Sequence, residues 1–173
     1  MKVINLFGGP GAGKSTTAAG LFFKMKTNNM KVELVTEFAK DLVYAERFKE
    51  LRTNQVYITA KQYSKLERVR DQVDYVISDS PLILGLQYIP ENYFNFFEPL
   101  VRELHYSFNN INIFIKRVKE YRNYGRYQTE EESDNMSNKI QELLNSNGIV
   151  YSIVNGDKTA PDTIFKLIMK GEL

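Results

Sequence analysis

Short apolar runs alternate along the chain with longer stretches in which apolar side chains recur every three or four residues. Residues 2–7 (KVINLF), 31–36 (KVELVT), 74–79 (DYVISD), 112–116 (NIFIK, with Ile111 before it) and 149–154 (IVYSIV) have the length and apolar content of buried strands. Between them, 14–26 reads as a helix closed by Asn28-Asn29. Phe38, Leu42, Ala45 and Phe48 keep helical spacing, and Val56, Thr59, Tyr63, Leu66, Val69 and Val73 do so within a helix expected over 55–73. Two more helices are expected over 131–145, ended by the Asn147-Gly148 turn, and over 160–169.

Strands separated by helices imply an α/β domain, a parallel sheet covered on both faces. Right-handed crossovers bring every strand's C-terminal end to one edge, where open sheets of this kind bind ligands. Chemistry is therefore to be sought just after each strand.

Composition narrows the field. The 173 residues suit a single domain, 1–173, without repeat, low-complexity tract or linker. No apolar run reaches the ~18 residues of a membrane span. The first residues, MKVIN, do not open a secretory signal. The absence of cysteine removes disulfides, thiolate metal sites and thiol nucleophiles together. The lone His105 excludes a His-rich metal site and reads as structural or exposed. A net charge of +2, from 23 Lys+Arg against 21 Asp+Glu, is too balanced for a dedicated nucleic-acid binder. A cytoplasmic protein without membrane contact is expected, and the sequence is silent on its oligomeric state.

The first strand runs into Gly8-Gly9-Pro10-Gly11-Ala12-Gly13-Lys14-Ser15-Thr16. Gly8 to Ser15 match G-x-x-x-x-G-K-S/T between a strand and a helix, the setting in which this string cradles phosphate. Glycines let phosphate approach the chain, and successive N–H groups with the helix N-terminus attract anions. Gly9, Gly11, Ala12 and Gly13 supply loop backbone. Lys14 is placed to reach the β- and γ-phosphates, Ser15 to ligate Mg²⁺, and Thr16 to hold an α-phosphate oxygen. ATP and Mg²⁺ are thus the expected cofactors. The third strand ends in Asp79, which reads as the Walker B carboxylate holding the metal; the alternative is an Asp capping the following turn. Glu37 follows the second strand directly, where a carboxylate could take the proton of an attacking hydroxyl or simply favour a helix start. No N-K-x-D element of a Ras-type guanine reader is present.

Gly8–Thr16, Thr36-Glu37-Phe38-Ala39-Lys40, Gln62, Asp79-Ser80-Pro81 and the Arg-bearing segment after the fourth strand resemble the P-loop nucleoside and nucleotide kinases. The nearest likeness is to the small single-domain kinase-like proteins often encoded by phages. The resemblance implies a three-layer α/β/α P-loop NTPase fold with a five-stranded parallel sheet ordered 2-3-1-4-5 and a lid after strand four, about 117–130. It implies that Glu37 occupies the place of an acidic catalytic residue. It also implies that Gln62 pairs with the substrate base, the other reading being a polar residue on a solvated face. Arg117, Lys119, Arg122 and Arg126 are the lid cations, and Arg122 and Arg126 are preferred as the catalytic pair; the bland alternative pairs them with Glu130–Glu132. The aromatic segment 88–99 either packs a helix through Tyr93, Phe96 and Phe97 or stacks on bases. The expected activity is ATP- and Mg²⁺-dependent phosphoryl transfer to a nucleoside, nucleotide or related hydroxyl-bearing acceptor. The alternatives are a kinase of hydroxymethylated pyrimidines in DNA and a nucleotide-binding ATPase or switch with no acceptor.

Overall fold

Strand β1 (Lys2–Phe7) is apolar at every position except Lys2 and Asn5, and everything after Lys2 is buried. Burial on both faces is what a central parallel strand requires. The computed structural model describes residues 1–121 and 129–173. Among them β1 is followed by α1 (Lys14–Thr27), β2 (Val32–Val35), α2 (Phe38–Tyr44), α3 (Phe48–Thr53), α4 (Gln55–Glu67), β3 (Tyr75–Ser78) and a 3₁₀ segment (Leu82–Tyr88). Then come α5 (Phe97–Tyr106), β4 (Asn109–Lys116), α6 (Glu130–Ser146), β5 (Ser152–Asn155) and α7 (Ala160–Lys170). The strands form one all-parallel sheet in the order β2-β3-β1-β4-β5, the order of a P-loop NTPase fold.

Each strand face has its own helices. Ala18, Leu21 and Met25 of α1 and Ala160 and Ile164 of α7 pack with Ile4, Leu6, Ile113 and Ile115 on one side of the sheet. Val101 of α5 and Ile140 and Leu144 of α6 pack with Phe7 and Phe114 on the other. Leu66 of α4 extends that layer over Val3, Val35 and Val76. The result is three layers, α/β/α, with all strand C-terminal ends on one edge.

Several expected boundaries move, each for a local reason. The helical spacing from Phe38 to Phe48 spans two short helices, because Glu46 turns the chain with a φ of 56°. The 55–73 helix stops at Glu67; Val69 and Val73 still pack on the core, but from turns. Strand β4 starts at Asn109, earlier than its apolar content suggests, since Asn110 and Asn112 hide their polarity by accepting from the Asn5 amide at 2.8 and 3.1 Å. Strand β5 starts only at Ser152. Tyr93 and Phe97 do pack a helix onto the sheet, whereas Phe96 is 83% exposed. Among the described residues no helix is long and apolar enough to cross a membrane.

Candidate active site

The phosphate loop is shaped by steric necessity at Gly8 and Gly13. Gly8 has a φ of 136°, and a Cβ there would lie 2.6 Å from Ile115 O on β4. Gly13, with a φ of 101°, is the residue from which α1 starts. The Thr17 N–H closes the first helical turn on Gly13 O at 2.8 Å. The amides before it have no partner within the helix, as at any helix N-terminus, and so form an anion-attracting end. The Ala12 N–H turns back to Gly9 O at 3.2 Å. The Gly9 N–H points the other way, to Ser137 Oγ on α6 at 3.2 Å. Lys14 folds over its own loop, its Nζ donating to Gly8 O at 2.7 Å and Gly9 O at 3.3 Å. Carbonyl oxygens here hold the ammonium where phosphate oxygens could replace them. Ser15 and Thr16 lie exposed at the mouth.

Asp79 stands one residue beyond β3 and is 7% exposed. Its Oδ2 accepts from Ser15 Oγ at 2.8 Å, while its buried Oδ1 has no hydrogen-bond partner. A buried carboxylate oxygen left unpaired is costly unless a cation or its water meets it. The Ser15 hydroxyl and Asp79 therefore fit Mg²⁺, which commonly takes one or two protein oxygens and completes its shell with phosphate and water. Among the described residues no cluster of three acidic or histidine side chains offers an all-protein metal cage.

Glu37 is the residue before α2, yet its side chain makes no capping bond. Burial pushes its carboxyl above the ordinary carboxylate range, Lys14 opposes this, and the charge of Asp79 adds to it. The capping is done by Gln62 instead: its Oε1 accepts from the Phe38 N–H at 3.0 Å. Gln62 is 4% exposed, not on a solvated face, and its buried Nε2 has no partner. Phe38 lies edge-on to Tyr57 at 5.4 Å. Lys65 spans the same region, donating to Thr36 O at 3.2 Å and pairing with Asp41 at 3.5 Å. Desolvation and the nearby Glu37 charge both push the Tyr88 hydroxyl up. Lys14, Glu37, Gln62 and Asp79 thus converge on the C-terminal edge, although three different crossovers supply them.

The lid cations separate. Arg117 is clamped at 2.6 Å to both Glu130 and Asp134 at the start of α6, and its guanidinium stacks 5.6 Å from Tyr121. Lys119 brings its Nζ to within 3.5 Å of where a Cβ on Gly13 would lie. Arg122 and Arg126 lie outside the described residues.

Sequence reasoning missed Ser133 and Ser137, and the contact that Gly156 makes with the phosphate loop. Ser133 Oγ donates to Pro10 O at 2.6 Å. Gly156 donates its N–H to Lys116 O at 2.7 Å and presses so closely on Ala12 that a Cβ would collide with Ala12 O. Serines at i and i+4 on a helix, and a glycine after the last strand, were the only signals of these contacts.

A family model described as an AAA domain matches residues 3–160. No curated protein matches significantly. Among solved structures, a deoxyadenosine kinase from M. mycoides with bound dATP is similar, with a TM-score of 0.58 and 20% identity. The likeness covers 99% of this chain and 98% of that one. With residues 3–160 matched and the phosphate loop in its strand–loop–helix setting, the chain belongs to the AAA domain family.

Proposed function

We propose that this protein is an ATP- and Mg²⁺-dependent phosphotransferase whose acceptor is a nucleoside, a nucleotide or a related hydroxyl-bearing molecule. One observation carries the acceptor half. The buried Gln62 amide has its oxygen committed to Phe38 and its nitrogen unpartnered, beside a carboxylate that makes no cap. A buried N–H donor near Glu37 suits a base edge, with the sugar hydroxyl turned toward the carboxylate. The solved kinase of similar fold is, by its own description, a deoxyadenosine kinase, and that supports a nucleoside-type acceptor.

The roles follow from charge. Bound Mg²⁺ would neutralise the polyphosphate and orient it. Lys14 exchanges the carbonyls of Gly8 and Gly9 for phosphate oxygens and stabilises charge on the transferring group. Ser15 and Asp79 hold the metal, with Gly9, Gly11, Ala12, Gly13 and Thr16 completing the donor cradle. Glu37 aligns the acceptor hydroxyl and receives its proton. Arg122 and Arg126 remain the proposed lid cations over the transferring phosphoryl group.

The test is an acceptor panel: labelled ATP supplied with nucleosides, nucleotides and DNA containing hydroxymethylated pyrimidines. Label in a nucleoside or nucleotide is the expected result. Label in polymer alone would move the acceptor to DNA, a reading favoured by the exposed Phe94 and Phe96 rings. ATP hydrolysis with no labelled acceptor would make the protein an ATPase module, the reading favoured by the AAA domain match.

A further inference from the structure

The phosphate-loop motif leaves its second position open, yet this chain has glycine there. Backbone freedom is not the reason, because Gly9 is not among the positive-φ glycines. Space is the reason. A Cβ on Gly9 would collide with Ser137 Oγ and stand 2.6 Å from Ser133 O. Helix α6 is docked on the crest of the loop by two serines one turn apart, which therefore share a face. Ser137 Oγ accepts from the Gly9 N–H at 3.2 Å, and Ser133 Oγ donates to Pro10 O at 2.6 Å. Pro10 has no N–H of its own to tie down, and Ser133 is 1% exposed. The same Gly9 carbonyl helps to hold Lys14.

We propose that Ser133 and Ser137 are positioning residues of the nucleotide site. From α6 they pre-order Gly9 and Pro10, so that the amides and the ammonium that follow meet phosphate without first arranging a glycine-rich loop. This deepens the donor-site reading and rests on it. A flexible loop that must order on binding weakens affinity, and pre-ordering removes that cost. The serines act through the loop backbone, so their loss should weaken donor binding with little change in fold stability.

The test is calorimetric titration of the full chain with Mg-ATP, run on wild type, Ser137→Ala, Ser133→Ala and the control Ser146→Ala. The Ser146 hydroxyl, at the other end of α6, donates to Leu143 O and accepts from the neighbouring Asn147 amide at 3.4 Å, and its variant should bind as wild type. Ser137→Ala and Ser133→Ala should each bind about fivefold more weakly, as for one lost hydrogen bond, with melting temperatures close to wild type. Should Ser133→Ala fail to fold, the half-buried Ser137 decides. Wild-type affinity in Ser137→Ala would overturn the proposal and leave the donor site standing. No Mg-ATP uptake by the wild type would defeat both.

Discussion

A half-buried carboxylate beside the phosphate loop keeps its charge at a cost, and Glu37 is in that position. Its folded-state pKa lies above its ordinary 4.5 because of burial. A raised pKa means the stabilising contribution is present below the unfolded value and lost as pH rises through the folded one. At neutral pH Glu37 is therefore a burden on the fold. Glu37→Gln should raise the melting temperature at pH 7.5 while lowering phosphoryl transfer about 100-fold or more. It should also abolish the acid limb of the pH–rate profile, checked by steady-state assays across pH. His105 shows the opposite sign. Burial lowers its pKa to about 4 from 6.5, and its Nε2 has no partner in the core. Unfolded chains bind a proton near pH 6.5 that the fold refuses until about pH 4. Stability is accordingly full above pH 6.5 and falls through that window, by about 3 kcal/mol at most. Denaturant melts at pH 7.5 and 5 should show this loss in wild type and a smaller one in His105→Leu.

At the scale of elements, α6 matters more than its sequence suggests. It opens on a capping box: Thr129 Oγ1 accepts from the Glu132 N–H, and the Thr129 N–H donates to the Glu132 carboxylate. Thr129→Ala should cost about 1 kcal/mol, read as a lower urea midpoint at unchanged slope. Helix periodicity and end signals located this helix to within a residue or two, because packing on Phe7 and Phe114 enforces the apolar stripe that betrays it. Strand β1 and its loop were equally legible, since apolar burial on both faces leaves a continuous run. The failures share one cause. Asn110, ahead of the expected strand, belongs to β4 because its amide is satisfied there, accepting from Asn5 and donating to His105 O at the end of α5. Val69 and Val73 have helical spacing without a helix. Local pattern reports burial, and burial does not always follow the element.

Across the whole molecule, the donor cradle depends on contacts between distant segments that no local pattern records. Gly156 closes on Ala12 from the far side of β4, and a Cβ would strike Ala12 O while lying 2.8 Å from Ile115 Cγ2. Gly156→Ala should destabilise the fold by about 2 kcal/mol, as overpacked sites do. It should also weaken Mg-ATP binding, which thermal melts with and without Mg-ATP would reveal as a diminished ligand-induced shift. Lys14, Ser15, Glu37 and Asp79 could be nominated one at a time because each lies just beyond a strand, whereas Gln62 sits mid-helix in α4. Their company was not legible: Gln62 capping Phe38 depends on how α4 lies over α2.

That cap has an evolutionary corollary. Gln62, Phe38 and Glu37 all come from the crossover between β2 and β3, while Lys14 and Ser15 come from the first crossover and Gly156 from the turn after the last strand. On the proposed assignment of acceptor recognition to that crossover, divergence confined to one contiguous stretch of the gene would retarget the product to new acceptors, with the energy-supplying half inherited unchanged.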